Sequence, residues 1–126
     1  MRPTDRKYLK SHEWCQFDGD TAILGLTDHA ISQLSDLIHL ELPEVGSQVT
    51  LGETYGEIES VKSVADIYSP VSGEVVGSND VLVEDLEALH NDAYDGGWMI
   101  KVRFTAQSED LIEAADYEAQ LENEEH

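Results

Sequence analysis

Lys62 is the residue whose chemistry most needs an explanation, because it lies alone in a long acidic stretch. It is the only Lys or Arg between residues 11 and 100, and Glu57, Glu59 and Asp66 lie close to it in sequence. An exposed ion pair with one of these carboxylates would contribute only about 0–1 kcal/mol, and many other positions would serve as well. A lysine amine can instead act as a nucleophile or be acylated by a modifying enzyme. The nucleophile would need a desolvated amine beside other cations, which this stretch lacks, so we favour acylation.

Short apolar or alternating runs between turn-forming residues predict a mainly β fold around this lysine. The predicted strands are residues 21–26, 38–42, 48–51, 55–60, 65–69, 73–78 and 98–104. Lys62 falls between the strands at 55–60 and 65–69. We therefore expect its side chain at an exposed hairpin tip, where a modifying enzyme can enclose it.

Two or three short helices are expected to decorate the sheet. Thr27 or Asp28 can cap the first helix, and Ser108 can cap a C-terminal one. The apolar positions at helical spacing are Ala30, Ile31, Leu34 and Leu37 in the first helix and Leu111, Ile112, Ala115 and Ala119 in the second. Acidic residues at the end of the second helix oppose its negative pole, so residues 122–126, like residues 1–6, are expected to fray.

The charge and composition of the chain exclude several classes of function. It has 126 residues, 27 acidic and 7 basic, which gives a formal net charge of −20. Nucleic-acid binding requires clustered Lys and Arg, so a nucleic-acid partner is not expected. No apolar run is long enough to span a membrane, Cys15 has no partner for an intrachain disulfide, and no Cys/His spacing suits a metal. We expect one soluble domain over residues 1–126, in a prokaryotic cytoplasm or, for a processed eukaryotic form, the mitochondrial matrix.

The high negative charge has two explanations that the sequence does not separate. A dense array of carboxylates can attract positively charged partner enzymes over long range. It can also be an adaptation to concentrated salt, in which screening lets many carboxylates coexist on one surface. Both explanations predict that the protein responds strongly to ionic strength.

The segment "ESVKSVADIYSPVSGEV", residues 59–75, resembles the lipoyl-attachment segment of the glycine cleavage system H protein family. Lys62 stands at the lipoylated position, with Glu59 three residues before it and Gly73 eleven residues after it. Further blocks resemble the family in the same order and spacing: "KYLKSHEW" (7–14), "GLTDHA" (25–30), "LELPEVGSQVTLGE" (40–53) and "GGWMIKV" (96–102). Other lipoyl domains and biotin carriers also place a lysine on a hairpin tip, but both lack the "HEW" and terminal blocks, and biotin carriers flank the lysine with Met. The resemblance covers nearly the whole chain.

This resemblance implies a flattened β-sandwich of the lipoyl-domain type, the barrel-sandwich hybrid, and a carrier without catalytic residues of its own. Lipoic acid would be joined to Lys62 through an amide, which gives a long flexible arm. The hairpin that the attaching enzyme recognises would include Glu59, Ser60, Val61 and Gly73.

The resemblance also implies a set of partners. The arm would take an aminomethyl group from glycine on the pyridoxal-phosphate glycine decarboxylase and deliver it to the tetrahydrofolate-dependent aminomethyltransferase. Dihydrolipoamide dehydrogenase would reoxidise the arm, and a lipoate ligase or lipoyltransferase would attach it. We expect the carrier itself to be a monomer.

Two alternatives stay open at this point. One is a lipoylated protein of this fold that acts as a lipoyl donor, or as a carrier in another lipoate-dependent pathway. The other is an enzyme that uses Lys62 as a nucleophile, which we disfavour because a lysine amine is largely protonated at neutral pH.

Two carboxylates are candidates for a cleft in which the loaded arm rests. Glu13 belongs to the "HEW" block and Asp66 follows the lysine by four residues. The amine of an aminomethyl group would favour such acidic surroundings, although each residue is explained equally well as an ordinary surface acid. His12 and His29 suit packing at least as well as an acid–base role.

The chain departs from the usual family pattern at three positions. Leu86 and Ala93 stand where proline is common, so the loop at 79–97 is expected to be more mobile. Gln33 stands where some relatives have histidine, which weakens the case for a base in the cleft. None of these changes touches Lys62 or its flanks.

Overall fold

The computed structural model describes residues 3–34 and 36–124, which form nine strands and four helices. The strands are β1 (Lys7–Tyr8), β2 (Glu13–Asp18), β3 (Thr21–Leu26), β4 (Leu37–Glu41), β5 (Gln48–Val49), β6 (Thr54–Ser60), β7 (Val64–Tyr68), β8 (Val71–Ser78) and β9 (Ile100–Gln107). The helices are α1 (Asp28–Ser32), α2 (Asp80–Glu84), α3 (Glu87–Asn91) and α4 (Ala114–Glu124).

Two antiparallel sheets face each other across a single main core. One sheet has six strands in the order β1-β2-β3-β9-β8-β5, and the other has three in the order β4-β6-β7. Buried side chains of both sheets join in one cluster that includes Leu24, Leu40, Ile58, Val75 and Val102. This sandwich with a C-terminal helix confirms the predicted fold class.

Strand prediction succeeded wherever apolar and polar residues alternate, and it missed β1 and β2. Strand β3 has the predicted limits, and β6 and β7 each lie within one residue of theirs. In β2 the side chains of Glu13, Trp14 and Cys15 are all buried, so no alternation is visible in the sequence. Tyr8 pairs with Trp14, which places β1 beside β2 in the sheet.

Helix α1 begins as predicted but is shorter. The Thr27 side chain accepts a hydrogen bond from the Ala30 backbone N–H at 3.2 Å, which makes Thr27 the cap. The helix ends at Ser32, so Leu34 lies beyond it and Leu37 already belongs to β4.

The predicted start of the C-terminal helix was wrong. Ser108 accepts a hydrogen bond from the Asp110 N–H at 3.0 Å, but the chain makes a turn there and α4 begins only at Ala114. Leu111 and Ile112 lie before the helix, and two backbone hydrogen bonds between Ile112 and Tyr8 keep this segment extended. The buried face of α4 consists of Ala114, Tyr117 and Leu121, whereas Ala115 and Ala119 are exposed.

Helix α4 packs on the N-terminal strands through a small second core. The Tyr117 ring stacks on Tyr8 with centroids 4.9 Å apart. Its hydroxyl lies 2.7 Å from both the Thr27 hydroxyl and Nδ1 of His12. His12 has a φ of 83°, a left-handed conformation that is uncommon for a residue with a side chain. The C-terminal helix therefore supports the turn from which the "HEW" block enters β2.

The chain ends and the segment 79–97 were expected to be loose. Fraying was predicted for residues 1–6 and 122–126, of which 1, 2, 125 and 126 lie outside the described residues. Arg6 is buried, with its guanidinium 4.6 Å from the Trp14 ring centroid. The segment 79–97 contains α2 and α3, and the Ala93 carbonyl accepts a hydrogen bond from the Trp14 indole at 3.0 Å. Greater mobility of this segment stays a prediction.

Cys15 is a free thiol in the centre of the core. Burial raises its pKa to about 12. Within the described part of the chain, every helix is too short or too polar to cross a lipid bilayer. The same residues contain no group of three or more His, Cys, Asp or Glu side chains arranged to hold a metal ion.

We expect this fold to become more stable as salt is added. The described salt bridges engage only Arg6 and Lys7, with Asp5, Asp95 and Glu113 as partners, so most carboxylates repel one another. Raising the salt from 0.1 to 1 M shortens the Debye length from about 10 Å to about 3 Å and weakens this repulsion. A gain of roughly 1 kcal/mol would raise the Tm by about 4 °C. The measurement is thermal unfolding in KCl from about 0.1 to 2 M, with sucrose as a non-ionic control; a flat or falling Tm would contradict the repulsion argument.

Candidate functional site

Lys62 lies at the centre of the short turn that joins β6 to β7. The turn consists of Val61, Lys62 and Ser63, and all three side chains are exposed. The Ser60 N–H donates to the Ser63 carbonyl at 2.8 Å, and the Ser63 N–H donates to the Ser60 hydroxyl at 3.2 Å. These bonds close the base of the turn and leave the lysine outside it.

A second anchor fixes the turn from the side. The Val61 N–H donates to the Asp36 carbonyl at 3.0 Å, which ties the turn to the residue just before β4. Our sequence reasoning missed Asp36 and Ser63. Ser60 and Ser63 could have indicated this turn from the sequence, because serine hydroxyls often form hydrogen bonds with the nearby backbone in turns. Asp36 gave no local signal, since its contact depends on the pairing of β4 with β6.

The Lys62 amine is available for chemistry. Among the described residues it takes part in no salt bridge, although Glu59 lies three positions before it. An amine on a four-carbon stem at a rigid tip can enter another protein's active site while the body of the domain stays outside. The residues present therefore fit a group attached through an amide at Lys62.

Gly73 lies in β8, with its backbone pressed against β9. A Cβ atom at this position would lie 2.1 Å from the Arg103 carbonyl oxygen and 2.8 Å from the Phe104 Cα. Both are backbone atoms, so they cannot move aside cheaply. The close packing of β8 against β9 therefore explains why glycine stands at position 73. Its predicted role in recognition of the hairpin stays a prediction.

Glu13 is a buried carboxylate that connects the two sheets. Its relative exposure is 2 %. One oxygen accepts a hydrogen bond from the Ser11 hydroxyl, and the other accepts the Tyr68 backbone N–H at 3.0 Å. Burial raises the pKa of Glu13, and these hydrogen bonds oppose that rise only in part. Glu13 on β2 thus binds the end of β7, the strand that follows Lys62.

Asp66 has different surroundings. It is exposed on β7 and lines a groove of about 340 Å³ together with Glu41 and Glu57. Tyr55 also lines the groove, and Glu13 is close enough behind it to help raise the Tyr55 pKa, after the larger effect of burial. Glu13 itself is not among the lining residues, so the structure does not bring the two candidate carboxylates together in one groove.

The two histidines lie beside each other and away from the groove. The rings of His12 and His29 are tilted with centroids 5.0 Å apart. His12 shares the Tyr117 hydroxyl with Thr27, as described above, so it has a packing role. Gln33 follows α1, and its backbone N–H caps the end of that helix.

We expect Glu13→Gln to stabilise the protein at neutral pH. Since burial raises the folded-state pKa of Glu13, its contribution to stability is fully present below the unfolded-state pKa and is lost as the pH rises through the folded value. A permanently neutral glutamine avoids that loss, and its amide can still accept from the Tyr68 N–H. The gain in Tm over wild type should be largest at about pH 8 and shrink towards about pH 4.

The control for this prediction is Glu109→Gln, which removes the same charge at an exposed position. It separates a general relief of repulsion from the local effect of burial. Thermal unfolding of both variants and wild type across this pH range is the measurement. A Glu13→Gln protein whose advantage did not exceed that of Glu109→Gln at any pH would contradict the prediction.

The chain is similar to known proteins along almost its whole length. The family model described as "Glycine cleavage H-protein" matches residues 6–124. A glycine cleavage system H protein of Rippkaea orientalis is 47% identical over 97% of this chain and 95% of its own length. One of Rubrobacter xylanophilus is 48% identical over 98% of this chain and 97% of its own length. The crystal structure of a glycine cleavage system H protein from Mycobacterium marinum covers 96% of this chain and 99% of its own, with a TM-score of 0.90 and 38% identity.

Proposed function

The chain belongs to the glycine cleavage H-protein family, and from that premise we propose that it carries its lipoyl group on Lys62 and presents it in turn to the enzymes of glycine cleavage. The family implies a carrier component, and hence a lipoyl cofactor. The position of the attachment and the role of each residue around it are our proposal. The proposed compartment is a prokaryotic cytoplasm.

The single observation that supports Lys62 most strongly is its place in the fold. Of the described Lys and Arg residues, Arg6 is buried, Lys7 pairs with Glu113, and Lys101 lies over the Trp98 ring. Lys10 and Arg103 are exposed, but arginine has no amine to acylate, and the turn that carries Lys10 contacts α4, where the Gln120 side chain donates to the Lys10 carbonyl. Lys62 has no such partner among the described residues and occupies a turn braced on two sides. A modifying enzyme needs an accessible amine on a well-defined backbone, and this turn offers both.

When bound, the lipoyl group supplies a disulfide-containing ring at the end of a long flexible arm. The domain's own residues do the rest of the work by positioning. The turn between Ser60 and Ser63 fixes the point from which the arm starts. Because the arm is tethered to this turn, the effective concentration of the group that it carries is raised at each partner's active site. Asp66 and the buried Glu13 supply negative potential beside β7, the strand that follows the attachment turn, which favours a cationic amine in this region.

The proposed partners are those that the glycine cleavage system implies. They are the glycine decarboxylase and the aminomethyltransferase, together with dihydrolipoamide dehydrogenase and a lipoate ligase or lipoyltransferase. The family relationship favours this role over a lipoyl donor in another pathway, because the similarity covers the whole carrier and not only the attachment hairpin.

The test is to incubate the purified chain with a lipoate ligase, ATP and lipoate, and to locate the adduct by peptide mass mapping. We expect one adduct, on the peptide that contains Lys62. The loaded chain should then support exchange of labelled bicarbonate into glycine by glycine decarboxylase, and the unloaded chain should not. An adduct at another lysine, or equal exchange without lipoate, would contradict the proposal.

A further inference from the structure

A buried serine hydroxyl closes the turn that carries Lys62. Ser60 is the last residue of β6, and it is only 2 % exposed. Its hydroxyl accepts a hydrogen bond from the Ser63 N–H at 3.2 Å and donates to the Ser63 carbonyl at 3.3 Å. One side chain therefore bonds both backbone groups of the residue that directly follows Lys62.

The Ser60 hydroxyl takes the place of a backbone acceptor in this turn. In a four-residue turn the N–H of the last residue commonly donates to the carbonyl of the first. The Ser63 N–H donates to the Ser60 side chain, an arrangement in which a serine hydroxyl mimics the backbone. The conformation after Lys62 thus depends on the residue type at position 60.

The other two hydrogen bonds of the turn do not depend on residue type. The Ser60 N–H donates to the Ser63 carbonyl, and the Val61 N–H donates to the Asp36 carbonyl. Both are bonds between backbone groups, so they would remain if Ser60 were truncated to alanine. Loss of the hydroxyl should therefore loosen the turn on the Ser63 side of Lys62 and leave β6 and β7 folded.

We propose that Ser60 is a positioning residue for the acylation of Lys62: its hydroxyl holds the turn in the conformation that the attaching enzyme binds, and it acts without touching that enzyme. The inference rests on the proposed function and deepens it. An enzyme that encloses the turn has almost no access to a side chain as deeply buried as that of Ser60. The influence of Ser60 on attachment is therefore exerted through the backbone of the turn.

A positioning role predicts a change in KM and none in kcat. A ligand whose binding-competent conformation is only partly populated binds more weakly in proportion to that population. If one molecule of Ser60→Ala in about ten has the competent turn, the KM of a lipoate ligase for the chain rises about tenfold. In the bound state the Lys62 amine displaces AMP from the ATP-activated lipoate as before: the amide C–N bond forms, the acyl–phosphate bond breaks and the nitrogen loses its proton.

The test compares wild type, Ser60→Ala and the matched control Ser69→Ala. Ser69 is 1 % exposed, and its hydroxyl also bonds the backbone of its own turn, donating to the Val71 carbonyl at 2.6 Å and accepting from the Val71 N–H at 3.3 Å. It lies just beyond the other end of β7. Initial rates of lipoylation are measured over a range of chain concentrations with ATP and lipoate saturating, after thermal unfolding has shown that both variants are folded.

Trypsin reports on the turn without the ligase. Lys62 is the only Lys or Arg between residues 11 and 100, so cleavage after it gives fragments that mass spectrometry identifies at once. When opening is fast, the rate of cleavage follows the population of the locally open state. Ser60→Ala should be cut after Lys62 about tenfold faster than wild type, and Ser69→Ala at the wild-type rate. Equal rates for the two variants would contradict the claim that the Ser60 hydroxyl holds the turn.

For lipoylation we expect Ser60→Ala to have a KM about tenfold above that of wild type with the same kcat, and Ser69→Ala to stay within about twofold in both constants. Equal KM values for the two variants would overturn the inference. A lower kcat at unchanged KM would also overturn it, because Ser60 would then act on the bound state and not on the population of the turn. A wild-type chain that gained no adduct on Lys62 would overturn the proposed function itself.

Discussion

Lys62→Arg is expected to abolish lipoylation and, with it, all support of glycine decarboxylation. Arginine keeps the positive charge and the length of the side chain, but its guanidinium does not offer the amine that is acylated. Because Lys62 is exposed and forms no described salt bridge, the substitution should change the free energy of unfolding by less than about 0.5 kcal/mol. Loss of function without loss of stability is the expected signature.

The measurements are the intact mass after treatment with lipoate ligase, bicarbonate exchange with glycine decarboxylase, and thermal unfolding. Lys10→Arg is the matched control, because Lys10 is also exposed and undergoes the same chemical change. The control should gain the full adduct and support normal exchange. If the Lys62→Arg protein sustained normal exchange, the assignment of the attachment residue would be wrong.

Gly73→Ala should destabilise the fold by about 3 kcal/mol, at the upper end of the usual range for overpacking. The new Cβ would lie 2.1 Å from the Arg103 carbonyl oxygen, so β8 and β9 would have to separate locally. For a chain of this length the loss corresponds to a fall in Tm of roughly 10 °C. Thermal unfolding monitored by circular dichroism is the measurement.

Gly77→Ala on the same strand is the control for Gly73→Ala. The nearest atom to a Cβ at Gly77 is the Lys101 Cβ at 3.4 Å, a position that can tolerate an added methyl group. We expect this control to stay within about 1 kcal/mol of wild type. A Gly73→Ala protein as stable as the control would refute the packing argument. If it were stable but poorly lipoylated, a role for Gly73 in recognition of the hairpin would be favoured instead.

The sequence was most informative where local pattern and local structure agree. Strands β6 and β7 alternate clearly, and the serines around Lys62 are typical of a turn, so the exposed position of this lysine could be predicted without long-range information. Thr27 was recognised as a cap because its hydrogen bond to the Ala30 N–H is local. Each of these features depends on residues only a few positions apart.

The features that were missed depend on contacts between distant segments. The start of α4 at Ala114 is set by the pairing of Ile112 with Tyr8, and Ser108 offers the same capping signal whether a helix or a turn follows. The sequence does not indicate whether Glu13 is buried or exposed, because its main hydrogen-bond partner is the backbone N–H of Tyr68 in the other sheet. Almost every residue has a backbone N–H, so the residue type at position 68 does not indicate that this group donates to Glu13.

The burial of Cys15 has a consequence for the redox chemistry of a lipoyl carrier. A ring disulfide on a mobile arm is open to attack by any nearby thiolate, and such exchange would fasten the arm to its own domain or to a second carrier molecule. Cys15 is the one cysteine of the chain, and burial raises its pKa to about 12, so at neutral pH almost none of it is thiolate. The core thus keeps the sulfur of the domain away from the disulfide of the proposed lipoyl arm.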